Sequence, residues 1–119
     1  VKLDVNKQES ILSNITDDKI GETKQVSFNS VLNKFNFENI DIVKMDCEGS
    51  EWEILQDVSS WKNVKFLTME YHLGKNNFDH NRILFFLNKI GFKLISKLEN
   101  SKKVDYGMAL AYNPLKISI

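Results

Sequence analysis

The sequence predicts an α/β fold, a parallel sheet finished by an antiparallel hairpin, and three patterns predict it. Short apolar runs recur around Ile40 to Met45, Val64 to Met69 and Phe92 to Ile95. Runs of that length, rich in β-branched and large apolar residues, suit strands buried within a sheet. Between them lie segments whose apolar residues recur at helical spacing. At the end, Val104, Tyr106, Met108, Leu110 and Tyr112 alternate at period two until Pro114 stops them.

Taken in order, the elements begin with Val1, Leu3 and Val5, which alternate with polar residues and predict a short half-buried strand. Asn6 to Glu22 is polar, holds Gly21 and reads as a loop with one turn around Ile11-Leu12. Val26 and Phe28 alternate again and predict a second short strand. Asn29 or Ser30 then caps a helix that carries Val31, Leu32 and Phe35 inward. Ile40, Ile42, Val43 and Met45 form a buried parallel strand that ends in Asp46. Gly49 makes the turn, and Ser50 with Glu53 matches a capping box for a helix carrying Ile54, Leu55 and Val58.

The rhythm then repeats. Val64, Phe66, Leu67 and Met69 lead to Glu70-Tyr71-His72, and a polar loop with Gly74 follows. Asp79 caps a helix whose inner face is Ile83, Phe86, Leu87 and Ile90, with Gly91 as its left-handed C-terminal cap. Phe92, Leu94 and Ile95 start another strand, and Glu99 to Lys103 is a polar turn into the last one. Strands joined through a helix run parallel, and strands joined by a short turn run antiparallel.

Composition narrows the function. At 119 residues the chain is one domain at most, read as an N-terminal strand, loop and short helix over 1–39 and a core α/β unit over 40–119. Hydrophobic residues at 42% and charged residues at 27% exclude disorder. Sixteen basic and sixteen acidic residues cancel, so no field favours nucleic acid or an anionic membrane. The two Trp and eight Phe lack a basic stripe beside them and read as core, not as base-stacking platforms. No apolar run has the length of a membrane span, and no signal peptide is visible. Cys47 is the single cysteine, which excludes an internal disulfide and fits a reducing compartment; the expected location is cytoplasmic. The Asn14-Ile15-Thr16 sequon is therefore read as chance. Because the chain opens on Val1, an upstream part is expected.

Ligands of open α/β sheets bind beyond the carboxyl ends of the strands. Two such ends carry polar clusters here: Lys44 to Glu51, and Glu70-Tyr71-His72. The run Asp41-Ile42-Val43-Lys44-Met45-Asp46-Cys47-Glu48-Gly49-Ser50-Glu51-Trp52-Glu53-Ile54-Leu55 resembles the hallmark of the FkbM methyltransferases, an apolar strand ending in Lys-x-Asp-x-Glu-Gly-x-Glu. All five defining residues stand here, as Lys44, Asp46, Glu48, Gly49 and Glu51. Val26 to Leu32 is similar to the family's preceding segment, with Phe28-Asn29 a mild departure, and Met69-Glu70-Tyr71-His72 is similar to its next strand end.

The resemblance implies the C-terminal half of a class I, Rossmann-like methyltransferase fold, with S-adenosylmethionine as cofactor. It implies O-methylation of a sugar or another hydroxyl-bearing small metabolite. The five glycines, Gly21, Gly49, Gly74, Gly91 and Gly107, are too scattered for the glycine-rich turn that binds the donor. The missing N-terminal half is thus expected upstream of Val1, and the chain alone is expected to be inactive.

Methyl transfer needs donor and acceptor held in line and often a proton removed. On that reading Asp46 sits where donor and acceptor meet, and Gly49 lets the backbone approach the cofactor. Glu48 contacts the substrate or acts as base. His72 is an alternative base, because histidine changes charge near neutral pH, and Glu70 orients it or contacts substrate. Each role has a plain structural rival. Acidic side chains at a helix N-terminus stabilise by ~0.3–1 kcal/mol each, and Glu51 is assigned to that role. Glu70 and His72 equally suit surface positions at a strand end. Lys44 pairs with a carboxylate or snorkels from an edge. Cys47, Trp52 and Trp61 are packing residues, and His80 is a first-turn helix residue. No metal ligand is assigned. Two other functions stay open: a metal-dependent glycosyltransferase-like enzyme using Asp46 and Glu48 as an Asp-x-Asp pair, and a non-catalytic interaction fragment with an open sheet edge.

Overall fold

The structure, a computed structural model, describes residues 25–73, 80–96 and 106–118. The expected strand at Val1 to Val5, the loop to Glu22, the sequon, the Asp79 cap, the turn from Glu99 to Lys103, and Val104 lie outside these residues.

Chain order is α1 (Phe28–Lys34), β1 (Ile40–Asp46), α2 (Glu51–Gln56), a 3-10 turn (Val58–Trp61), β2 (Val64–His72), α3 (His80–Lys89), β3 (Lys93–Leu94) and β4 (Tyr106–Tyr112). The four strands form one mixed sheet in the order β1-β2-β4-β3. β1 and β2 are parallel, with Asp46 level with Glu70. β4 lies antiparallel between β2 and β3. The expected order of strands and helices from Ile40 onward is therefore present, and the last strand does insert antiparallel beside its predecessors.

Among the described residues, one apolar core lies on one side of the sheet. Met45, Leu67, Met69, Ala109 and Ala111 from the strands pack with Trp52, Leu55, Trp61, Ile83, Phe86, Leu87 and Phe92. Trp61 is fully buried beside Phe28 and edge-on to Phe92, and its indole N–H donates to the Ile54 carbonyl at 3.2 Å. α3 ends as its sequence predicts. Gly91 has φ +80°, the Phe92 N–H donates to the Leu87 carbonyl at 2.8 Å, and the Gly91 N–H donates to that of Asn88 at 3.0 Å. That pair of bonds is the Schellman motif, which satisfies carbonyls the helix leaves unpaired.

Three expectations are corrected. Val26 and Phe28 do not form a strand: Phe28 opens α1, and Ser27, not Asn29 or Ser30, is the N-cap, its hydroxyl accepting from the Ser30 N–H at 3.1 Å. Two alternating apolar residues weigh less than a good cap, so the helix starts early. Phe35 falls at the C-terminal end of α1 and is exposed rather than inward. β1 is parallel but not buried on both faces; among the described residues it is an edge strand, and Ile42 is 56% exposed. The expected alternation of β4 is present, and it places Tyr106, Met108 and Leu110 outward and Ala109 and Ala111 toward the core. No helix among the described residues is long and apolar enough to cross a membrane.

Candidate functional site

The rim is built by the turn that follows β1. The Ser50 N–H donates to the Cys47 carbonyl at 3.2 Å, closing a four-residue turn around Glu48 and Gly49. Both central residues are left-handed, with φ +52° at Glu48 and +108° at Gly49. Glycine takes that conformation freely, whereas glutamate does so at a cost of about 1–2 kcal/mol. The neighbouring side chain holds the turn in place. Glu51 is fully buried, and its carboxylate accepts from the Cys47 N–H at 3.0 Å and from the Gly49 N–H at 3.0 Å. The expected capping box is absent. Ser50 makes no capping bond, its buried hydroxyl has no partner, and Glu53 is exposed. Glu51 instead accepts from two amides of the turn that precedes the helix.

The second strand end is tied to the first by the same carboxylate. His72 Nδ1 lies 2.9 Å from Glu51 Oε1. Since the Glu51 carboxylate already accepts two backbone donors, Nδ1 carries the hydrogen and donates. The Trp52 indole N–H donates to the His72 carbonyl at 3.0 Å, fixing α2 to the end of β2. The imidazole is thereby held with Nε2 turned toward the rim, 3.6 Å from Glu48 Oε2 and 4.0 Å from Glu70 Oε1. Both spans exceed the 2.7–2.9 Å of a charge-assisted hydrogen bond.

Asp46, Glu48 and His72 thus converge, one ligand atom from each lying within 4.8 Å of the others. Glu70 is level with Asp46 across the β1–β2 pair. Every residue expected at the site lands on this one edge: Asp46, Glu48, Gly49, Glu70 and His72. Asp46 and Glu48 are exposed, yet both stand beside a neighbouring strand end rather than alone in solvent. Lys44 is exposed and makes no ion pair among the described residues, so it does not neutralise them. Cys47 is buried, as expected of a small packing residue. The sequence reading missed Glu51 as the residue that organises the rim. Its place three residues beyond Glu48 and inside the hallmark is visible, but nothing in one dimension shows that it reaches back to the turn and across to His72.

A cavity of about 350 Å³ lies elsewhere, between the start of α1 and α2, lined by Ser27, Phe28, Ser50, Glu53, Ile54 and Asp57 among others. It contains none of the converging residues.

The family model described as the methyltransferase FkbM domain matches residues 3–94. The chain belongs to this family. The match spans β1, α2, β2, α3 and β3, and includes both strand ends of the rim. No curated protein and no solved structure gives a match. Membership in the FkbM family makes the chain a methyltransferase in class, and it implies a methyl donor.

Proposed function

We propose that this FkbM chain supplies the acceptor side of an S-adenosylmethionine-dependent methyltransferase acting on a hydroxyl oxygen of a sugar or similar small metabolite, within a class I, Rossmann-like domain. One observation carries the reading: the Lys44-x-Asp46-x-Glu48-Gly49-x-Glu51 signature stands at the carboxyl rim of β1, with Glu70 and His72 beside it. Such rims are where open α/β sheets bind their ligands.

The donor, when bound, brings a methyl group made electrophilic by a positively charged sulfur. Residues on the rim fit one side of it. The Asp46 carboxylate suits a positive charge, and a Cβ built on Gly49 would meet nothing within 4 Å, so the backbone there is open to a ligand. The scattered glycines of this sequence form no glycine-rich turn for the rest of the donor, which residues beyond this chain supply. Asp46 then stands where donor and acceptor meet. Glu48 and His72 hold the acceptor hydroxyl, and Glu70 contacts it from β2. Glu51 touches no substrate; it positions His72 and the turn.

The test is transfer of a labelled methyl group from S-adenosylmethionine to hydroxyl acceptors by the full-length gene product. Asp46→Asn is expected to lower turnover by about 10²-fold or more, with the melting temperature unchanged. Equal turnover in wild type and Asp46→Asn would remove Asp46 from the reaction. A calorimetric titration of the present chain with S-adenosylmethionine is expected to show weak binding or none, and tight binding would overturn the placement of the donor.

A further inference from the structure

We propose that Asp46, Glu48 and His72 form a divalent-cation site, and that the cation holds the acceptor through its open positions. The metal site rests on geometry alone; only its use on the acceptor rests on the methyl-transfer reading.

Three observations converge. The first is the direction of the histidine. Nδ1 donates to buried Glu51, so the lone pair of a neutral imidazole is on Nε2, aimed at Glu48 and Glu70. A ligating histidine is held in this way, its other nitrogen bonded to a carboxylate that fixes the tautomer and the ring. Here that carboxylate is itself fixed by two backbone amides.

The second is distance. A lone pair facing carboxylate oxygens is repulsive unless something positive lies between them. The spans of 3.6 and 4.0 Å are too long for a shared proton in a good hydrogen bond. They are the right size for two ligands on one ion. With bonds of about 2.0–2.2 Å, two ligands of a common metal lie at most ~4.4 Å apart. The three converging ligand atoms lie within 4.8 Å of one another, just beyond that limit, and the Asp46 and Glu48 side chains are both exposed, with room to turn toward a shared ion.

The third is charge. Among the described residues, the ion pairs that Glu48, Glu51 and Glu70 make are with His72, and Asp46 makes none. One imidazole faces four carboxylates. Two carboxylates and an imidazole, with the remaining positions open, suit a first-row divalent ion such as Mn²⁺ better than a soft ion that prefers thiolate. An acceptor with a hydroxyl, and better a vicinal pair, fills the open positions. His72 then serves as ligand and not as base.

Electron paramagnetic resonance titration of the chain with Mn²⁺ tests the site without donor or acceptor. One saturable Mn²⁺ per chain is expected, lost in His72→Ala and in Asp46→Asn while circular dichroism stays unchanged. Glu51→Gln keeps an acceptor for the backbone amides and is expected to weaken Mn²⁺ binding by about 10–100-fold. No saturable binding at millimolar Mn²⁺, or binding that survives His72→Ala, would overturn the proposal. Should a variant fail to fold, Glu48→Gln on the exposed turn gives the same readout, with weaker binding expected. Mn²⁺ binding with no methyl transfer would leave the metal site standing and remove the acceptor role. Methyl transfer without Mn²⁺ binding would remove the metal site and leave the methyl-transfer reading standing. If Mn²⁺ binds only with a nucleotide sugar present, the site belongs to glycosyl transfer instead.

Discussion

On one face of the sheet Met45, Leu67, Met69, Tyr71, Ala109 and Ala111 are buried; on the other, Ile42 and Met108 are more than half exposed and Leu110 is 36% exposed. Both faces obey the same period-two alternation, and both carry large apolar side chains. What separates them is the size of the β4 residues. Gly107, Ala109 and Ala111 stand level with Tyr71, Met69 and Leu67 of β2, so small residues meet large ones and leave room for the helices above. The opposite face sets Leu110 level with Thr68 and Met108 level with Glu70. Hydrophobic alternation tells which residues share a face. The match of sizes across strands tells which face is closed.

The largest break in this contrast is expected at Trp61. Truncation to alanine removes a fully buried indole between Phe28 and Phe92 and its bond to the Ile54 carbonyl. Trp61→Ala should cost about 3–5 kcal/mol in urea unfolding, enough to unfold a marginal domain. A smaller loss is expected at Gly107→Ala. The added methyl would collide with the ring and hydroxyl of buried Tyr71, so the strand or the ring must move. Overpacking of this kind costs about 1–3 kcal/mol, and a denaturant midpoint equal to wild type would show that the closed face has slack.

How much of this was legible in the sequence depended on the range of the signal. β1, β2 and α3 were legible because their patterns are long and punctuated by Asp46, His72 and Gly91. The convergence of Asp46, Glu48, Glu70 and His72 followed from parallel pairing alone, since strands joined through α2 must end on the same edge. Three features were not legible. Ser27 outcompeted a weak alternation at Val26 and Phe28. Glu51 acts through the folded turn and through His72, twenty-one positions away. Which face of β4 is covered was not legible either, because the alternation marks two faces without saying which one packs. Ser50 gives a test of this limit. Were it the cap that its sequence context suggests, Ser50→Ala would cost about 1 kcal/mol. With its hydroxyl buried and unpartnered, the substitution should be neutral or stabilise by up to about 1 kcal/mol in thermal unfolding.

The smallest expected effect is on the open face. Leu110 makes its structural bonds through the backbone: its N–H donates to Ser96 Oγ at 2.9 Å, and its carbonyl accepts from the Ile95 N–H at 2.8 Å. Threonine keeps both bonds and suits a strand, so Leu110→Thr should change stability by no more than about 0.5 kcal/mol. Its neighbour Ala111 is fully buried, and Ala111→Val adds volume where β4 meets Leu67, at a cost of about 1–3 kcal/mol. The two substitutions sit at adjacent positions on opposite faces of the strand. A loss of more than 1.5 kcal/mol at Leu110 would mean that something packs over the open face in solution, and the contrast between the faces would vanish.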